Sequence, residues 1–282
     1  DHVHKFIVTS REIFTLRSSP LKTLFGIKII VMMTLSENEI TRYKKNLQLL
    51  QVGNAGQEKL KDASVVVVGA GGLGSPVLMY LAAAGVGRIT IVDGDRVELS
   101  NLQRQVLHTT EGIADLKVES ARDRLMAMNP DIRIDIVAER LNVSNAESLL
   151  QAHMPVVDCT DNLETRFLIN KTCVQLGIPY IYAAVYEFEG QLSVFDSRSG
   201  PCLRCMIPEI PSPGSIPDPE EHGLLNTVPG VIGMLQANEV LKIILGIGEP
   251  LIGKLLLFDC LTTSMQTIRI SKLPDCPVCG KL

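Results

Sequence analysis

The chain has 282 residues, of which 46% are hydrophobic, so it is long enough for one large domain or two small ones with a substantial core. Its formal net charge is −4 and it has no basic stripe, which argues against nucleic-acid binding as the main task. Seven cysteines do not suit a secreted disulfide framework in a chain of this length, and no apolar run reaches the ~18 residues that span a bilayer. We therefore expect a cytoplasmic protein with no nucleic-acid or membrane partner.

The first 32 residues differ from the rest of the chain. Leu24–Met33 is apolar but interrupted by Lys28, and no small-residue cleavage site follows it. Met32 or Met33, at the end of this run, would be a natural initiator methionine. We interpret residues 1–32 as an upstream extension, disordered or artefactual, and residues 33–282 as the folded domain. A membrane-binding or targeting arm is the alternative for the extension.

From Ser36 onwards the sequence predicts helices alternating with strands. Ser36 and Glu39 form a capping box that begins a polar helix reaching about Gln51. Ala63–Val68 is a β-branched run without alternation, which indicates a strand buried on both faces. Such alternation predicts a parallel sheet with right-handed crossovers. The further predicted strands are Arg88–Asp93, Ile132–Ala138 and Pro155–Cys159, and the predicted helices are Ser75–Ala84, Lys117–Asn129 and Asn145–Ala152.

The pattern changes after Pro179. A proline-rich loop follows at Pro208–Pro219, and Pro229–Leu245 is an apolar helix. The later strands are expected to be antiparallel. They are Ile181–Val185, Gln191–Asp196, Leu255–Phe258 and Ser264–Ile270.

Two CxxC pairs stand in the C-terminal third of the chain. Two cysteines spaced in this way can bind one metal ion from a single turn, and two such pairs make a closed tetrahedral sulfur site that suits structural Zn²⁺. Four unrelated thiols or two disulfides are the alternatives. The remaining cysteines, Cys159, Cys173 and Cys260, lie in apolar runs typical of a core. The expected metal ligands are Cys202, Cys205, Cys276 and Cys279.

Gly69–Gly74 reads GxGxxG between a predicted strand and a predicted helix. These glycines allow a tight turn and let backbone N–H groups approach a phosphate at the helix N-terminus. Asp93 stands at the end of the next strand, where an acidic side chain binds a ribose hydroxyl. We predict a Rossmann-like α/β fold: a mixed sheet with a parallel N-terminal half and antiparallel C-terminal strands, helices on both faces, and a C-terminal zinc site. The glycine motif alone favours NAD or FAD, and no P-loop motif is present.

Polar residues follow the predicted strands and point away from a dehydrogenase. Arg104 and Lys117 supply two cations for a polyphosphate, and Asp161 supplies a carboxylate that can hold Mg²⁺. Open α/β sheets bind ligands at the carboxyl ends of their parallel strands, where all of these residues are expected. Taken singly, each has an ordinary explanation as a surface charge or a turn residue.

As a set, these motifs resemble the MoeB/ThiF/HesA family, relatives of the ubiquitin-activating enzymes, from about residue 34 to the end. The resemblance implies adenylation of the C-terminal glycine of a small ubiquitin-like β-grasp protein, a sulfur carrier in molybdopterin or thiamine synthesis. It further implies the use of ATP with Mg²⁺, a homodimer and structural Zn²⁺. The stretches that carry the resemblance are Arg42-Tyr43, Gly69–Gly74, Asp93–Asp95, Ser100–Gln105, Lys117–Glu119, Cys159–Asn162, Glu189–Gln191 and both CxxC pairs.

The family's site residues are carried over by motif. Arg104, Lys117 and Asp161 are the expected catalytic residues: Arg104 contacts the triphosphate, Lys117 neutralises the α-phosphate and Asp161 binds Mg²⁺. Asp93 binds the ribose and Asn162 frames the nucleotide. The full set of expected nucleotide-binding residues is Lys45, Gly69, Gly71, Gly72, Gly74, Asp93, Asp95, Ser100, Asn101, Leu102, Gln103, Arg104, Lys117, Asp161 and Asn162.

The chain departs from the family pattern at two places. Lys45-Asn46 stands where the family often has an arginine that is thought to reach the partner subunit's ATP, and lysine keeps the charge but loses the bidentate fork. The loop Pro208–Asn226 lacks the reactive cysteine of ThiF-like members, so we expect an external sulfur donor. Two rival functions are a catalytically silent partner subunit and an NAD(P)-dependent oxidoreductase.

Overall fold

The computed structural model describes residues 23–24, 27–28, 35–209 and 222–280. Thr23–Leu24 (β1) and Ile27–Lys28 (β2) form a short antiparallel pair. Apart from this pair, the expectations for residues 1–32, and most of the proline-rich loop, lie outside the described residues. The division of the chain at residue 33 stays a prediction.

Short helices precede the sheet. The predicted capping box is confirmed: Glu39 N–H donates to Ser36 Oγ at 3.2 Å, and Ser36 N–H donates to a Glu39 carboxylate oxygen at 2.7 Å. The predicted helix is divided at the buried Tyr43 into Glu37–Arg42 (α1) and Lys44–Leu47 (α2). The next helix, Gly53–Asp62 (α3), was not predicted, because its two glycines lower the helix propensity while tertiary burial of its inner face stabilises it.

One eight-stranded sheet organises the described part of the chain from residue 35 onwards. Its spatial order is β10-β9-β8-β7-β6-β3-β4-β5. The strands β7, β6, β3, β4 and β5 are parallel to one another, whereas β8, β9 and β10 are each antiparallel to their neighbours. The bounds are Ser64–Val68 (β3), Arg88–Val92 (β4), Arg133–Val137 (β5), Val156–Asp158 (β6), Tyr180–Tyr186 (β7), Glu189–Phe195 (β8), Lys254–Asp259 (β9) and Ser264–Arg269 (β10).

Helices cover both faces of the sheet, and the predicted α/β class is confirmed. Val65 and Val67 of β3 pack into one hydrophobic core, and Val66 and Val68 pack into the other, because successive side chains of a strand point to opposite faces. The first core includes helices Gly74–Ala84 (α4), Lys117–Met128 (α5) and Thr227–Leu245 (α9), together with α3. The second includes Ala146–Leu150 (α6), Leu163–Leu176 (α7) and Leu203–Met206 (α8).

Two of these helices correct the sequence analysis. The fourteen-residue helix α7 was missed, although Asn162 caps its N-terminus and Gly177 ends it. Helix α9 is long and apolar enough to cross a membrane by length and composition, in contrast to the expectation that no run was long enough. Half of its most apolar window is buried, and it packs on α4, β7 and β8, so its place in the core accounts for the buried half.

Candidate functional site

The glycine turn Gly69–Gly74 lies at the carboxyl end of β3 and leads directly into α4. Gly69 has a φ of +99°, and a Cβ there would lie 2.6 Å from the carbonyl oxygen of Cys159. A Cβ on Gly74 would collide with the carbonyl oxygen of Gly69. Both positions therefore require glycine. The free N–H groups of the α4 N-terminus lie at this edge, an arrangement that binds phosphate.

The Asp93 carboxylate holds the glycine turn against the end of β4. Its Oδ2 accepts a hydrogen bond from Ala70 N–H at 2.8 Å, and its Oδ1 accepts one from Asp95 N–H at 2.8 Å. Each carboxylate oxygen has a second lone-pair direction. Asp93 can therefore hold the turn and accept a further hydrogen bond from a sugar hydroxyl.

Asp95 lies between two basic side chains. Lys117 Nζ is 3.2 Å from Asp95 Oδ2, and Arg140 Nη2 is 2.9 Å from Asp95 Oδ1. Burial acts to raise the pKa of the Asp95 carboxyl, but the hydrogen bonds and charges of Arg140 and Lys117 together hold that pKa below its ordinary value. Lys117 begins α5 and is only 7% exposed, so its ammonium group needs an anionic partner.

The segment Ser100–Arg104 packs beside the glycine turn. It begins in the short 3₁₀ helix Leu99–Asn101, and Arg104 Nη1 donates to the Ser100 carbonyl oxygen at 3.2 Å. Arg104 Cγ would lie 3.6 Å from a Cβ on Gly72, so the arginine stem lies against the turn. Asn101, Leu102 and Arg104 are partly buried, whereas Ser100 and Gln103 are exposed.

Asp161 and Asn162 follow β6 at the same edge of the sheet. Both are exposed, and Asn162 Oδ1 accepts from Thr165 N–H at 2.9 Å, which caps α7. The Arg140 guanidinium has a raised pKa, chiefly through its hydrogen bond to Asp95, and the charge of Asp161 contributes to the shift. Asp161 therefore lies within electrostatic reach of Arg140.

A buried network beneath Asp161 was not predicted from the sequence. Asp158 is fully buried and accepts hydrogen bonds from Tyr180 Oη at 2.5 Å and from Thr160 Oγ1 at 2.6 Å. Burial raises the pKa of the Asp158 carboxyl, against the lowering effect of the Arg166 charge and these hydrogen bonds. Burial also raises the pKa of Tyr180, which keeps its hydroxyl as the donor. This network fixes the backbone from which Asp161 projects.

Three further residues at this edge were not assigned to the site from sequence. Arg140 follows β5 in a stretch without a motif. Gln105 ends the Ser100–Gln105 motif, and its amide nitrogen would lie 3.4 Å from a Cβ on Gly71. Gln105 Oε1 is buried and accepts no hydrogen bond from the described residues. His108 is buried directly behind the turn, with Nε2 2.9 Å from the Ala70 carbonyl oxygen.

Within one chain, Lys45 lies far from this site. It is exposed on α2, whose Asn46 donates to Gln57 Oε1 at 3.3 Å, and Gln57 in turn donates to the carbonyl oxygen of Ala84 at 2.8 Å. Ala84 ends α4, whereas the glycine turn lies at the beginning of that helix. Eleven helical residues span roughly 16 Å.

The two CxxC pairs converge into one buried cluster. Cys202 Sγ lies 3.6 Å from Cys276 Sγ, Cys205 Sγ lies 3.4 Å from Cys279 Sγ, and all four sulfurs lie within 4.8 Å of one another. These distances exceed the ~2.05 Å of a disulfide. They approach the edge of about 3.8 Å that a tetrahedron with Zn–S bonds of ~2.3 Å requires.

The other three cysteines differ from one another in exposure. Cys159 and Cys173 are buried, as expected, and burial raises the pKa of both thiols. Cys260 follows β9 and packs against the first hydrophobic core, but it is only partly buried, with Sγ 3.8 Å from Thr227 Oγ1.

The chain is similar to known proteins in sequence and in fold. The "Sulfur carrier protein adenylyltransferase" of Thermus thermophilus is 49% identical over 250 residues, covering 87% of this chain and 92% of that protein. The "SAMP-activating enzyme E1" of Haloferax volcanii is 43% identical over 249 residues, covering 88% of this chain and 92% of that protein. A crystal structure of E. coli MccB with MccA-N7isoAsn superposes with a TM-score of 0.74 at 26% identity, covering 90% of this chain and 77% of that one.

A sheet whose parallel strands carry a glycine turn, carboxylates and basic side chains at their carboxyl ends is the architecture of a nucleotide-binding α/β protein. The ThiF family profile matches residues 43–278. The chain belongs to the ThiF family.

Tyr180→Phe should destabilise the protein by about 1–3 kcal/mol, because it leaves the buried Asp158 carboxylate without one donor. Tyr182→Phe is the matched control: its hydroxyl makes only a 3.4 Å hydrogen bond to Gln191, and both tyrosine rings pack 5.7 Å from the Phe195 ring. The control should cost less than about 1 kcal/mol. Denaturant midpoints compare the variants, and equal losses would show that the Asp158 hydrogen bond contributes no more to stability than the long one to Gln191.

Proposed function

We propose that this protein uses ATP to adenylate the C-terminal glycine carboxylate of a ubiquitin-like sulfur-carrier protein, with release of pyrophosphate, in sulfur transfer of the molybdopterin or thiamine type. One observation carries the proposal: the glycine turn, Asp93, Lys117, Arg104 and Asp161 lie together at the carboxyl edge of one sheet. The names of its relatives in Thermus and Haloferax support the same reaction.

The reaction needs positioning and charge neutralisation rather than a protein nucleophile. A carboxylate oxygen of the carrier attacks the α-phosphorus of ATP in line. The bond from that phosphorus to the bridging oxygen breaks, and pyrophosphate leaves with the electron pair. The product is a carrier acyl-adenylate.

We assign the site residues to steps of this reaction. Asp93 accepts from the ribose while it holds the turn, and the N–H groups of the turn bind phosphate oxygens. Asn101 and Arg104 contact the triphosphate. The Lys117 ammonium leaves its ion pair with Asp95 and pairs with the α-phosphate, where negative charge builds in the transition state. Because Lys117 is buried, this charge acts in a low-dielectric setting and is worth more than in water.

Asp161 is the proposed Mg²⁺ ligand. Its carboxylate is exposed, and its one hydrogen bond within the described residues is a long one of 3.4 Å from Asn162 Nδ2. Mg²⁺ prefers a few carboxylate ligands together with water and phosphate oxygens, which this donor suits. The ion would neutralise phosphate charge there.

We propose structural Zn²⁺ in the four-cysteine cluster. The sulfur spacing suits a tetrahedral ion, and four protein ligands leave no open position for water. Metal at this place would join the segment after β8 to the segment after β10.

We propose a homodimer in which Lys45 reaches the nucleotide site of the partner subunit. Lys45 lies at the far end of α4 from the glycine turn of its own chain. Tyr80 on α4 and Met234 on α9 are 54% and 41% exposed on helices that pack together, which offers an apolar surface for the pairing.

The sulfur donor is proposed to be external to this chain. The stretch Pro208–Asn226 contains no cysteine in its sequence, Cys159 and Cys173 are buried, and the proposed zinc occupies four more thiols. Cys260 is partly exposed, so it is the thiol that a test must examine.

Lys117→Ala should lower ATP–pyrophosphate exchange by about 10²–10³-fold, since one electrostatic contact in such a site contributes about 3–4 kcal/mol. Lys171→Ala, on the exposed face of α7, is the matched control and should keep wild-type exchange. Exchange is measured with a candidate carrier and MgATP. The same mixture without a sulfur donor is examined by intact mass.

The carrier acyl-adenylate should be the only new mass that appears in that mixture. A thiol-sensitive adduct between the carrier and this chain would show that a cysteine of this chain acts as a nucleophile, and its loss in Cys260→Ala would identify that cysteine. Wild-type protein that exchanges no pyrophosphate with any ubiquitin-like carrier would contradict the proposed function itself.

Cys276→Ser should remove the bound zinc and lower the melting temperature, because metal binding at such a site contributes to the free energy of folding. Cys260→Ser, outside the cluster, should keep both the zinc and the melting temperature. Metal analysis and thermal melts give the two values. Wild-type protein that holds no zinc at full activity would contradict the assignment.

Mixing Lys45→Ala chains with Arg104→Ala chains should restore part of the activity that each variant has lost. In the mixed dimer one of the two sites regains both wild-type residues if they come from different subunits. Exchange assays follow the recovery. Absence of recovery, in subunits shown by mass to exchange, would place Lys45 outside the site.

A further inference from the structure

His108 connects the glycine turn to α5. Its side chain is buried, its Nε2 lies 2.9 Å from the Ala70 carbonyl oxygen, and its Nδ1 lies 2.9 Å from Ser120 Oγ. Ser120 stands on α5, the helix that Lys117 begins. One imidazole thus touches both elements that supply the proposed phosphate contacts.

The hydrogen bonds determine which nitrogen of His108 carries the proton. A carbonyl oxygen only accepts, so Nε2 must be the donor to Ala70, and Nδ1 then accepts from the Ser120 hydroxyl. Burial, with the nearby Lys117 charge, lowers the pKa of His108, although the hydrogen bond to the Ala70 carbonyl acts to raise it. The ring is therefore a neutral imidazole held in one tautomer.

Ala70 is held at both of its backbone groups. Its N–H donates to Asp93 Oδ2, and its carbonyl oxygen accepts from His108. In a trans peptide the N–H of the next residue points opposite to the carbonyl. Because the Ala70 carbonyl faces the interior, the Gly71 N–H faces outward, and no described backbone oxygen accepts a hydrogen bond from it.

We propose that His108 is a positioning residue of the nucleotide site, which holds the peptide between Ala70 and Gly71 so that the Gly71 N–H faces the ATP phosphates. Through Ser120, the same ring sets the distance between the glycine turn and the helix that carries Lys117. This inference rests on the proposed function, since ATP is the ligand that the turn would hold.

A purely structural histidine would give a different pattern of mutant effects. The terminal amide of glutamine lies where Nε2 lies in histidine and can donate to Ala70, whereas the shorter asparagine amide lies near Nδ1 and can meet only Ser120. Loss of packing alone would lower the stability of both His108→Gln and His108→Asn. Loss of the Ala70 hydrogen bond would weaken the interaction with ATP in His108→Asn but not in His108→Gln.

The experiment measures the KM for ATP and for the carrier in pyrophosphate exchange, beside thermal melts, for full-length protein. His108→Asn and His108→Ala should raise the KM for ATP about tenfold, because the buried Ala70 carbonyl loses its donor. His108→Gln should stay within about threefold of wild type, and the KM for the carrier should not change.

Ser120→Ala keeps the imidazole and removes only its second partner, so it provides a milder variant if the others fold poorly. Its KM for ATP should rise about two- to fivefold. An unchanged KM for ATP in His108→Asn or in Ser120→Ala, or equal effects of His108→Gln and His108→Asn, would overturn the inference. If wild-type protein does not bind ATP, the proposed function fails first and this inference fails with it.

Discussion

The hydrogen bond from Ala70 N–H to the Asp93 carboxylate joins the ends of β3 and β4, and the site is arranged around it. The sheet ladder continues one residue past each strand. Gly69 N–H donates to the Val92 carbonyl, and Cys159 N–H donates to the Val68 carbonyl, both at 2.8 Å. The polar groups begin directly after these last rungs. Their positions are therefore set by the sheet and not by the loops that follow.

The carboxyl edge combines acidic and basic groups. Asp95 pairs with both Lys117 and Arg140, and the charges of Asp161 and Asp93 act on the same guanidinium. This balance lets a lysine remain buried at the edge. A triphosphate would bring excess negative charge to such an edge, which gives the proposed divalent cation a physical role besides geometry.

Motifs placed at strand ends could be predicted from the sequence because a short local pattern sets both the turn and its chemistry. The glycine turn and Asp93 are of this kind, as is the α/β order of elements. The cysteine cluster could likewise be predicted, since the fixed spacing within each CxxC pair indicates one shared site. In the structure the glycine turn and Asp93 meet at one edge of the sheet, and the two CxxC pairs meet in a separate buried cluster.

Other residues could not be found in this way because their partners lie far along the chain. Arg140 follows β5 in a stretch without a motif, and its relation to Asp95 exists only in the folded sheet. His108 reads as an ordinary core histidine until Ala70 and Ser120 are placed on either side of it. Helix α7 has no clear apolar stripe in the sequence, because its buried face includes the polar residues Asn170 and Thr172.

The cysteine cluster has a consequence for the order in which the protein opens. Its two pairs follow β8 and β10, so α9, β9 and β10 lie in the loop between them. A metal cross-link there would close a loop of roughly 70 residues, and the lost chain entropy would raise the free energy of the unfolded state by about 4 kcal/mol in the simplest model. With that cross-link in place, the antiparallel edge would not fray strand by strand, and β9, β10 and α9 would exchange their amide hydrogens as one cooperative unit.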